Sequence, residues 1–191
     1  LYIMLALVLF FVIGCCGAVL LGRLSDIVDY LLYVDKKTGL PNREKLNIYI
    51  GEMAGKVLPE AFTCFTLNLD NLSELTKRFG YTVGDGVLKD FAGLVQLMGD
   101  TEGMRGYNGI GRFVVFFEEC SSKKAAAMIR ILDNQVEEYN SLNPEYPIRY
   151  TAAWATTEET DTDEIRELLR LSQKKWKQME KEKKDKTEEE T

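Results

Sequence analysis

The hydrophobic pattern begins with an uncharged apolar run, LYIMLALVLFFVIGCCGAVLL, which covers residues 1–21. A helix of about 20 apolar residues spans the hydrocarbon core of a bilayer, so the run predicts a transmembrane helix over residues 1–22. A signal peptide and a buried core helix are the alternatives, and the run is long for either. Val12–Cys15 resembles a bacterial lipoprotein processing box, but the chain after Cys15 stays apolar.

Residues 23–34 continue the apolar pattern at helical spacing and predict a helical connector. Basic residues follow the span, and lysine or arginine near the end of a span favours the cytoplasmic side. We therefore expect a single-pass protein of the cell membrane with its domain in the cytoplasm. The chain begins with Leu1 rather than Met, and we expect further residues upstream. The basic residues are Arg23, Lys36, Lys37 and Arg43.

Residues 35–183 alternate between segments with strand and helix periodicity, and residues 184–191 form a charged tail. Strands interleaved with helices, together with one adjacent hairpin, predict an α/β (α+β) fold. We expect a palm-like or ferredoxin-like mixed sheet flanked by helices. The predicted strands are 62–69, the hairpin within 106–117 and 148–156, and the predicted helices are 42–53, 72–79, 84–98, 121–142 and 161–181.

Composition excludes several classes of function. The net charge is −6, and an acidic chain is a poor candidate for binding nucleic acid, which needs a basic surface. The sequence contains no histidine, which argues against zinc sites and excludes histidine-based catalysis. Two of its 4 cysteines lie in the apolar run, and the remaining pair is too few for a disulfide framework. Cys64 falls in a predicted strand and is interpreted as a core residue.

The stretch GYNGIGRFVVFF, residues 106–117, combines glycines with a strongly apolar strand. Gly106, Gly109 and Gly111 predict a chain reversal, and Phe113–Phe117 predicts the returning strand. Hairpin tips of this kind often hold carboxylates for metal and phosphate chemistry. No Asp or Glu occurs in this stretch.

Three motifs resemble the GGDEF family, the bacterial diguanylate cyclase domain that makes cyclic di-GMP from two GTP. DKKTGLPNREKL, residues 35–46, matches the entry motif D-x-L-T-G-L-x-N-R except for Lys37 in place of Leu. TLNLDNLSELTKRFGYTVGDGVL, residues 66–88, resembles the first strand and the helices after it. GIGRF occupies the signature position, with Gly109, Ile110, Gly111, Arg112 and Phe113. The resemblance covers nearly the whole segment after the connector.

The resemblance implies that the family's metal ligands are replaced. Family members hold two magnesium ions, which neutralise triphosphate charge. The first carboxylate aligns with Asn68 and the second with Gly111, while the neighbouring signature acid is Arg112. Gly111 has a simpler explanation as turn geometry. Asp70 is a remote metal candidate, and we expect no metal cofactor unless magnesium binds through displaced ligands.

The resemblance also implies a weakened nucleotide site. The family's guanine-reading Asn aligns with Thr76, and the guanine-reading Asp is kept as Asp85, which an alternative interpretation makes a helix N-cap. The two late basic residues that touch phosphates align with Met179 and Lys183. The product-inhibition motif R-x-x-D is replaced by GDTEG, residues 99–103, so we expect that inhibitory site to be absent.

The leading hypothesis is a membrane-anchored, catalytically inactive GGDEF-like domain in signalling. It would act either as a guanine-nucleotide sensor through Asp85, Thr76 and Lys183, or as a scaffold that binds a protein partner or forms a homodimer. The alternative is an active diguanylate cyclase with displaced metal ligands. A third interpretation is a fragment of a larger receptor with a sensor upstream.

Overall fold

The computed structural model describes residues 2–99 and 103–189. Asp100, Thr101 and Glu102, which carry most of the predicted inhibitory-motif replacement, lie outside the described residues. The predicted order of strand, two helices, hairpin, helix, strand and closing helix is confirmed. The elements are α1 (Tyr2–Tyr33), α2 (Arg43–Met53), β1 (Thr63–Leu69), α3 (Leu72–Phe79), α4 (Tyr81–Gln96), β2 (Gly103–Gly109), β3 (Arg112–Phe117), α5 (Ser122–Leu142), β4 (Tyr150–Thr156) and α6 (Ile165–Glu189).

The chain divides into two units, one up to Val34 and one from Asp35 onward. The first unit is α1, a single 32-residue helix that joins the predicted transmembrane segment to the predicted connector without a break. A helix of this length extends about 48 Å at 1.5 Å per residue. It is long and apolar enough to cross a membrane, and a signal sequence meets the same criterion.

In the second unit, the described strands form a four-stranded sheet in the order β2-β3-β1-β4. The pairings β1–β3, β1–β4 and β2–β3 are all antiparallel. This order inserts β3 between β1 and β2, which is the split arrangement of ferredoxin-like folds. The predicted fold class is confirmed, with the difference that the described pairings are antiparallel throughout rather than mixed.

Helices cover both faces of the sheet because the strands alternate two apolar sets of side chains. On β1, Phe65, Leu67 and Leu69 lie in the core beneath α3, α4 and α5. Cys64 lies in the core on the opposite face, which α2 and α6 cover through Leu46 and Leu168 among others. Asn68 belongs to this second face by the same alternation, which places it on the side of α6.

Asn42 and Ser121 cap helices as their position in the sequence predicts. The Asn42 side chain accepts a hydrogen bond from the Lys45 amide at the start of α2, and Ser121 accepts one from the Lys124 amide at the start of α5. These side-chain bonds satisfy backbone donors that have no partner within the helix.

Two sequence predictions are wrong in detail. The helix predicted from Gly84 begins at Tyr81, with Gly80 as its N-cap at φ 90°, so Asp85 lies in the second turn of α4 and is not an N-cap. Gly106 is not in the turn, because it lies within β2 opposite Val114. A Cβ atom at Gly106 would lie 2.4 Å from Leu46 Cγ, so the glycine allows α2 to approach β2 closely.

Candidate functional site

The candidate site lies where β1 ends, beside the hairpin between β2 and β3. Asn68 is opposite Arg112 on one neighbouring strand and opposite Thr151 on the other. The Leu69 amide donates a hydrogen bond to the Gly111 carbonyl over 2.8 Å, which joins the hairpin tip to the end of β1. The fold therefore brings Asn68 and Gly111, the two positions predicted to align with metal ligands, to the same edge of the sheet.

Asp70 is the centre of a hydrogen-bond network at this edge. Its Oδ1 accepts a bond from the Asn68 side-chain amide over 2.9 Å, and its Oδ2 accepts one from the Thr151 hydroxyl over 2.6 Å. Lys183 Nζ lies 3.7 Å from Asp70 Oδ2. Both carboxylate oxygens are thus engaged by groups of this chain, and the carboxylate lies beside a cation.

Lys183 belongs to α6 and reaches back to β4. Its Nζ donates to the Tyr150 carbonyl over 2.9 Å and to the Thr151 hydroxyl over 2.7 Å. Met179, which aligns with the other phosphate-contacting residue of the family, lies one turn earlier on α6 and is 40% exposed. Of these two positions on α6, Lys183 alone therefore supplies a cation, and that cation is bound to the sheet.

Gly111 adopts a left-handed backbone conformation with φ +75°. A Cβ atom built on it would lie 3.1 Å from the Leu69 carbonyl oxygen and 3.4 Å from Leu72 Cδ2. L-residues with a side chain rarely adopt this conformation, and a carboxylate here would meet both the backbone strain and the close contact. The turn therefore favours glycine at this position, which supports the interpretation of Gly111 as turn geometry.

Arg112 follows at the first position of β3 and places its guanidinium over the ring of Trp176, 4.9 Å from the ring centroid. Trp176 lies on α6, so this cation–π contact connects the hairpin to the closing helix. The next signature residue, Phe113, is completely buried in the core below α4. Signature positions 112 and 113 therefore have packing roles on opposite faces of the sheet.

Asp85 forms an ion pair with Lys37, with 2.8 Å between Lys37 Nζ and Asp85 Oδ1. The hydrogen bond to Asp85 holds the pKa of the Lys37 ammonium above its ordinary value. Lys37 is the residue that replaces an apolar one in the entry motif. A turn positions it: Asp35 Oδ1 accepts hydrogen bonds from the Thr38 amide and hydroxyl, each over 2.9 Å.

Thr76 lies on α3, facing the start of α4. Its hydroxyl donates to the Leu72 carbonyl over 2.8 Å, so the donor is used within its own helix. A Cβ atom at Gly84 would lie 2.3 Å from Thr76 Oγ1, so the two helices touch at this pair. The positions that align with guanine-reading residues are therefore near one another but engaged in internal contacts.

The donor set at this edge does not fit a pair of magnesium ions. Magnesium takes hard oxygen ligands in near-octahedral geometry and is bound through carboxylates. Asp70 is the carboxylate beside Asn68 and Gly111, and its oxygens are already hydrogen bonded. Among residues 2–99 and 103–189, no group of three or more His, Cys, Asp or Glu side chains is placed to hold a metal ion.

Sequence reasoning missed several residues of this network. The exchange at Lys37 is visible in the motif, but its partner Asp85 lies 48 positions away along the chain. Thr151 carried no signal, because threonine is an ordinary residue of a strand. Trp176 appeared only as an apolar position of the last helix, and its contact with Arg112 depends on how that helix crosses the sheet.

Comparison with known proteins gives a family and a set of structural neighbours. A family model described as "Diguanylate cyclase, GGDEF domain" matches residues 32–186. No curated protein matches the sequence significantly. A diguanylate cyclase/phosphodiesterase structure from Caldicellulosiruptor saccharolyticus is 18% identical with a TM-score of 0.64, covering 81% of this chain and 91% of that one.

Two further structures share the fold. The active GGEEF domain of a diguanylate cyclase from Vibrio cholerae is 20% identical with a TM-score of 0.63, covering 74% of this chain and 91% of that chain. LapD S helix-GGDEF-EAL from Vibrio cholerae, bound to c-di-GMP, is 13% identical with a TM-score of 0.57 over 71% of this chain. This chain spans only 31% of that longer protein.

TM-scores of 0.57 to 0.64 show a common fold, and the family model covers more than half of the chain. The element order, the antiparallel sheet and the signature-position hairpin agree with that match. From residue 32 to residue 186, this chain belongs to the GGDEF family of diguanylate cyclase domains.

Proposed function

We propose that this protein is a membrane-anchored, catalytically inactive GGDEF domain that acts in cyclic di-GMP signalling through contacts with a protein partner or a second copy. One observation carries the proposal. The two positions that align with metal-binding carboxylates are Asn68 and Gly111, and the nearby Asp70 is bound by Asn68, Thr151 and Lys183.

The reason is electrostatic. Phosphoryl-group chemistry on a triphosphate needs cations that neutralise its charge, and those cations need anionic ligands. Asn68 supplies an amide, Gly111 supplies no side chain, and Arg112 reverses the charge of its position. To bind a metal ion, the Asp70 carboxylate would have to give up its hydrogen bonds with Asn68 and Thr151 and its proximity to Lys183. Without these ligands, the hairpin would still form two strands of the sheet.

The internal contacts favour the scaffold over the nucleotide sensor. Asp85 is paired with Lys37, and the Thr76 hydroxyl is used within its own helix. Lys183 is bound to β4 and lies beside Asp70. A guanine nucleotide would have to displace these partners before it gained contacts of its own.

The length and composition of α1 support the membrane anchor. Together with the basic residues that follow it, they favour the cytoplasmic side for the domain. A single-pass helix continuing into a connector would transmit a membrane-side input to the domain. No nucleic acid is expected as a partner, because the chain is acidic.

The first experiment tests catalysis. The full chain in detergent micelles is incubated with GTP and either magnesium or manganese, and cyclic di-GMP is measured by chromatography. We expect no product. Product formation that disappears in Asp70→Ala would show that Asp70 supports a displaced metal site and would reverse the proposal in favour of the active cyclase.

The second experiment separates scaffold from sensor by titrating GTP and GDP, with binding heat and thermal shift as the readouts. We expect no binding heat and no thermal shift at about 1 mM nucleotide. A complex with a Kd of about 1 mM, which corresponds to a binding free energy of about −4 kcal/mol, would be half saturated at that concentration. Saturable binding by the unmodified chain would establish the sensor instead.

Lys37→Leu is the informative variant for that titration because it frees Asp85. Lys56→Leu is the matched control, since it removes a lysine from a loop outside the site. If Asp85 keeps a capacity for guanine, Lys37→Leu binds GDP more tightly than the unmodified chain and Lys56→Leu does not. The expected gain is up to about fivefold, because exposed ion pairs contribute about 0.2–1 kcal/mol.

A further inference from the structure

A small cavity lies between the hairpin and α6, on the sheet face that α6 covers. Its volume is about 90 Å³. The residues that line it are Thr66, Asn108, Arg112, Val114, Gln173, Trp176 and Lys177. Neither Asp70 nor Lys183 is among them, so this cavity is separate from the hydrogen-bond network described above.

The lining is rich in hydrogen-bond donors and carries positive charge. Arg112 and Lys177 contribute two cations, and Asn108 and Gln173 contribute side-chain amides. None of the described lining residues is an acid. Neither Arg112 nor Lys177 forms an ion pair with any residue in the described ranges 2–99 and 103–189. Within 4.0 Å, no carboxylate of the described residues therefore pairs with either cation.

Trp176 adds a buried donor. The residue is only 3% exposed, and its indole Nε1 is buried without a hydrogen-bond partner among the described residues. The indole N–H can only donate, and a buried donor without an acceptor is unfavourable. Because Trp176 lines the cavity, an anion bound there is the kind of group that can supply the missing acceptor, whereas a cation cannot.

The local backbone also contributes. The pairing of β2 with β3 shifts register between Tyr107 and Gly109, which leaves Asn108 as the extra residue of a β-bulge. Bulges change the direction of a side chain and are common next to functional sites. Here the bulged residue is one of the donors that line the cavity.

We propose that this cavity binds a phosphate-type oxyanion, either inorganic phosphate or the phosphate group of a small phosphorylated molecule. Arginine and lysine with neutral N–H donors form the charge-assisted hydrogen bonds that such an anion accepts. About 10–15 Å³ of cavity volume holds one water molecule, so a cavity of about 90 Å³ has room for the five non-hydrogen atoms of a phosphate group. The bound anion would join the hairpin to α6.

The test uses the two tryptophans of the chain as reporters. Trp154 lies on the opposite face of the sheet, with its ring centroid 6.3 Å from that of Phe65, so it is an internal control. Indole N–H resonances are recorded by two-dimensional NMR on the ¹⁵N-labelled full chain in detergent micelles. The Trp154→Phe variant assigns the Trp176 resonance. Sodium phosphate is then added at constant ionic strength.

We expect the Trp176 resonance to move saturably and the Trp154 resonance to stay in place. Arg112→Gln should weaken phosphate binding about tenfold or more, because it removes a charged donor. Lys177→Ala, at an exposed position that is free to change without disturbing the core, should weaken it as well. Absence of a saturable shift at about 20 mM phosphate, where a Kd of about 1 mM would be nearly saturated, would overturn the proposal.

Two further arms identify the chemistry of the anion. Chloride in place of phosphate should leave the Trp176 resonance unmoved, and an equal response to chloride would overturn the proposal as general ion screening. Glycerol phosphate, a small phosphomonoester, is compared with inorganic phosphate. Tighter binding of the ester assigns the site to a phosphorylated molecule, and tighter binding of the free ion assigns it to inorganic phosphate.

Discussion

At the scale of single residues, the exchanges at the signature hairpin have specific packing consequences. Gly111 occupies a left-handed conformation close to the Leu69 carbonyl, and Arg112 stacks on Trp176. A carboxylate at position 111 would be strained and would crowd the Leu69 carbonyl, and one at position 112 would lose the contact with Trp176. Both residues therefore have a structural role in the hairpin.

The conformation of Gly111 leads to a stability prediction. Gly111→Ala should lower the free energy of unfolding by about 1 kcal/mol, because the left-handed conformation costs a residue with a Cβ atom roughly 1–2 kcal/mol. Gly86→Ala is the matched control, since Gly86 is helical and has open space where the Cβ would lie. It should raise stability by roughly 0.5–1 kcal/mol. Urea unfolding measures both, and shifts of the same sign would contradict the expectation.

Cys64 gives a chemical prediction at the same scale. Burial raises the pKa of its thiol to about 12, against a smaller opposing effect of the hydrogen bond with Ser172. Since the thiolate is the reactive form, Cys64 should resist iodoacetamide at pH 8 in the folded chain and react after unfolding in urea. Peptide mass spectrometry measures the labelling. Rapid modification of Cys64 without denaturant would mean that α6 does not cover this face.

At the scale of elements, the contact between α3 and α4 depends on Gly84. A Cβ atom at that position would lie 2.3 Å from the Thr76 hydroxyl oxygen, so Gly84→Ala should destabilise the protein by about 1–3 kcal/mol. Thr76→Ala removes the hydroxyl, and the double variant should recover part of the loss. A coupling energy of about 0.5–3 kcal/mol is expected from the double-mutant cycle.

Gly93→Ala is the control for that cycle, because Gly93 lies in the same helix with no atom within 4 Å of its Cβ position. Thermal unfolding of the four cycle members and the control gives the energies. Additive effects of Gly84→Ala and Thr76→Ala would mean that the two helices separate readily at this point.

The first residues of the helices show where sequence patterns predict an element boundary correctly and where they do not. The start of α2 was predicted from Asn42, and the start of α5 from its serine cap, because a capping side chain acts within its own turn. The start of α4 was missed by three residues. Gly80 ends α3 and caps α4 at the same position. The first turn of α4 exposes Tyr81 and Thr82 and contains Gly84, so it lacks the continuous apolar stripe that marks the rest of the helix.

At the scale of the whole molecule, the apolar helix leads to a prediction about partitioning. The full chain should remain with bacterial membranes after washing with alkaline carbonate, because about 20 apolar residues span the hydrocarbon core. A variant without residues 1–22 should appear in the supernatant. Release of the full-length chain would contradict the membrane anchor, and a mature protein shortened by the mass of the apolar run would indicate a signal sequence instead.

The sequence by itself determined the order of elements, the fold class and the apolar faces of the strands. These properties follow from local periodicity, because side chains on a strand alternate with period two and those on a helix recur every three to four residues. The same local information predicts that the family's metal-binding carboxylates are replaced at Asn68 and Gly111, since a residue type is known before any fold is. About function, the sequence by itself therefore shows which chemical groups the chain contains.

The tertiary structure alone decided what the remaining groups do. Lys37 pairs with Asp85, Lys183 reaches Asp70 and β4, and Arg112 stacks on Trp176. Each contact joins residues far apart in the chain, so it depends on which strands pair and on which face each helix covers. Local periodicity contains no such information. The ion pair at Asp85 and the donor-lined cavity beside Trp176 therefore exist only once the sheet and its helices have packed.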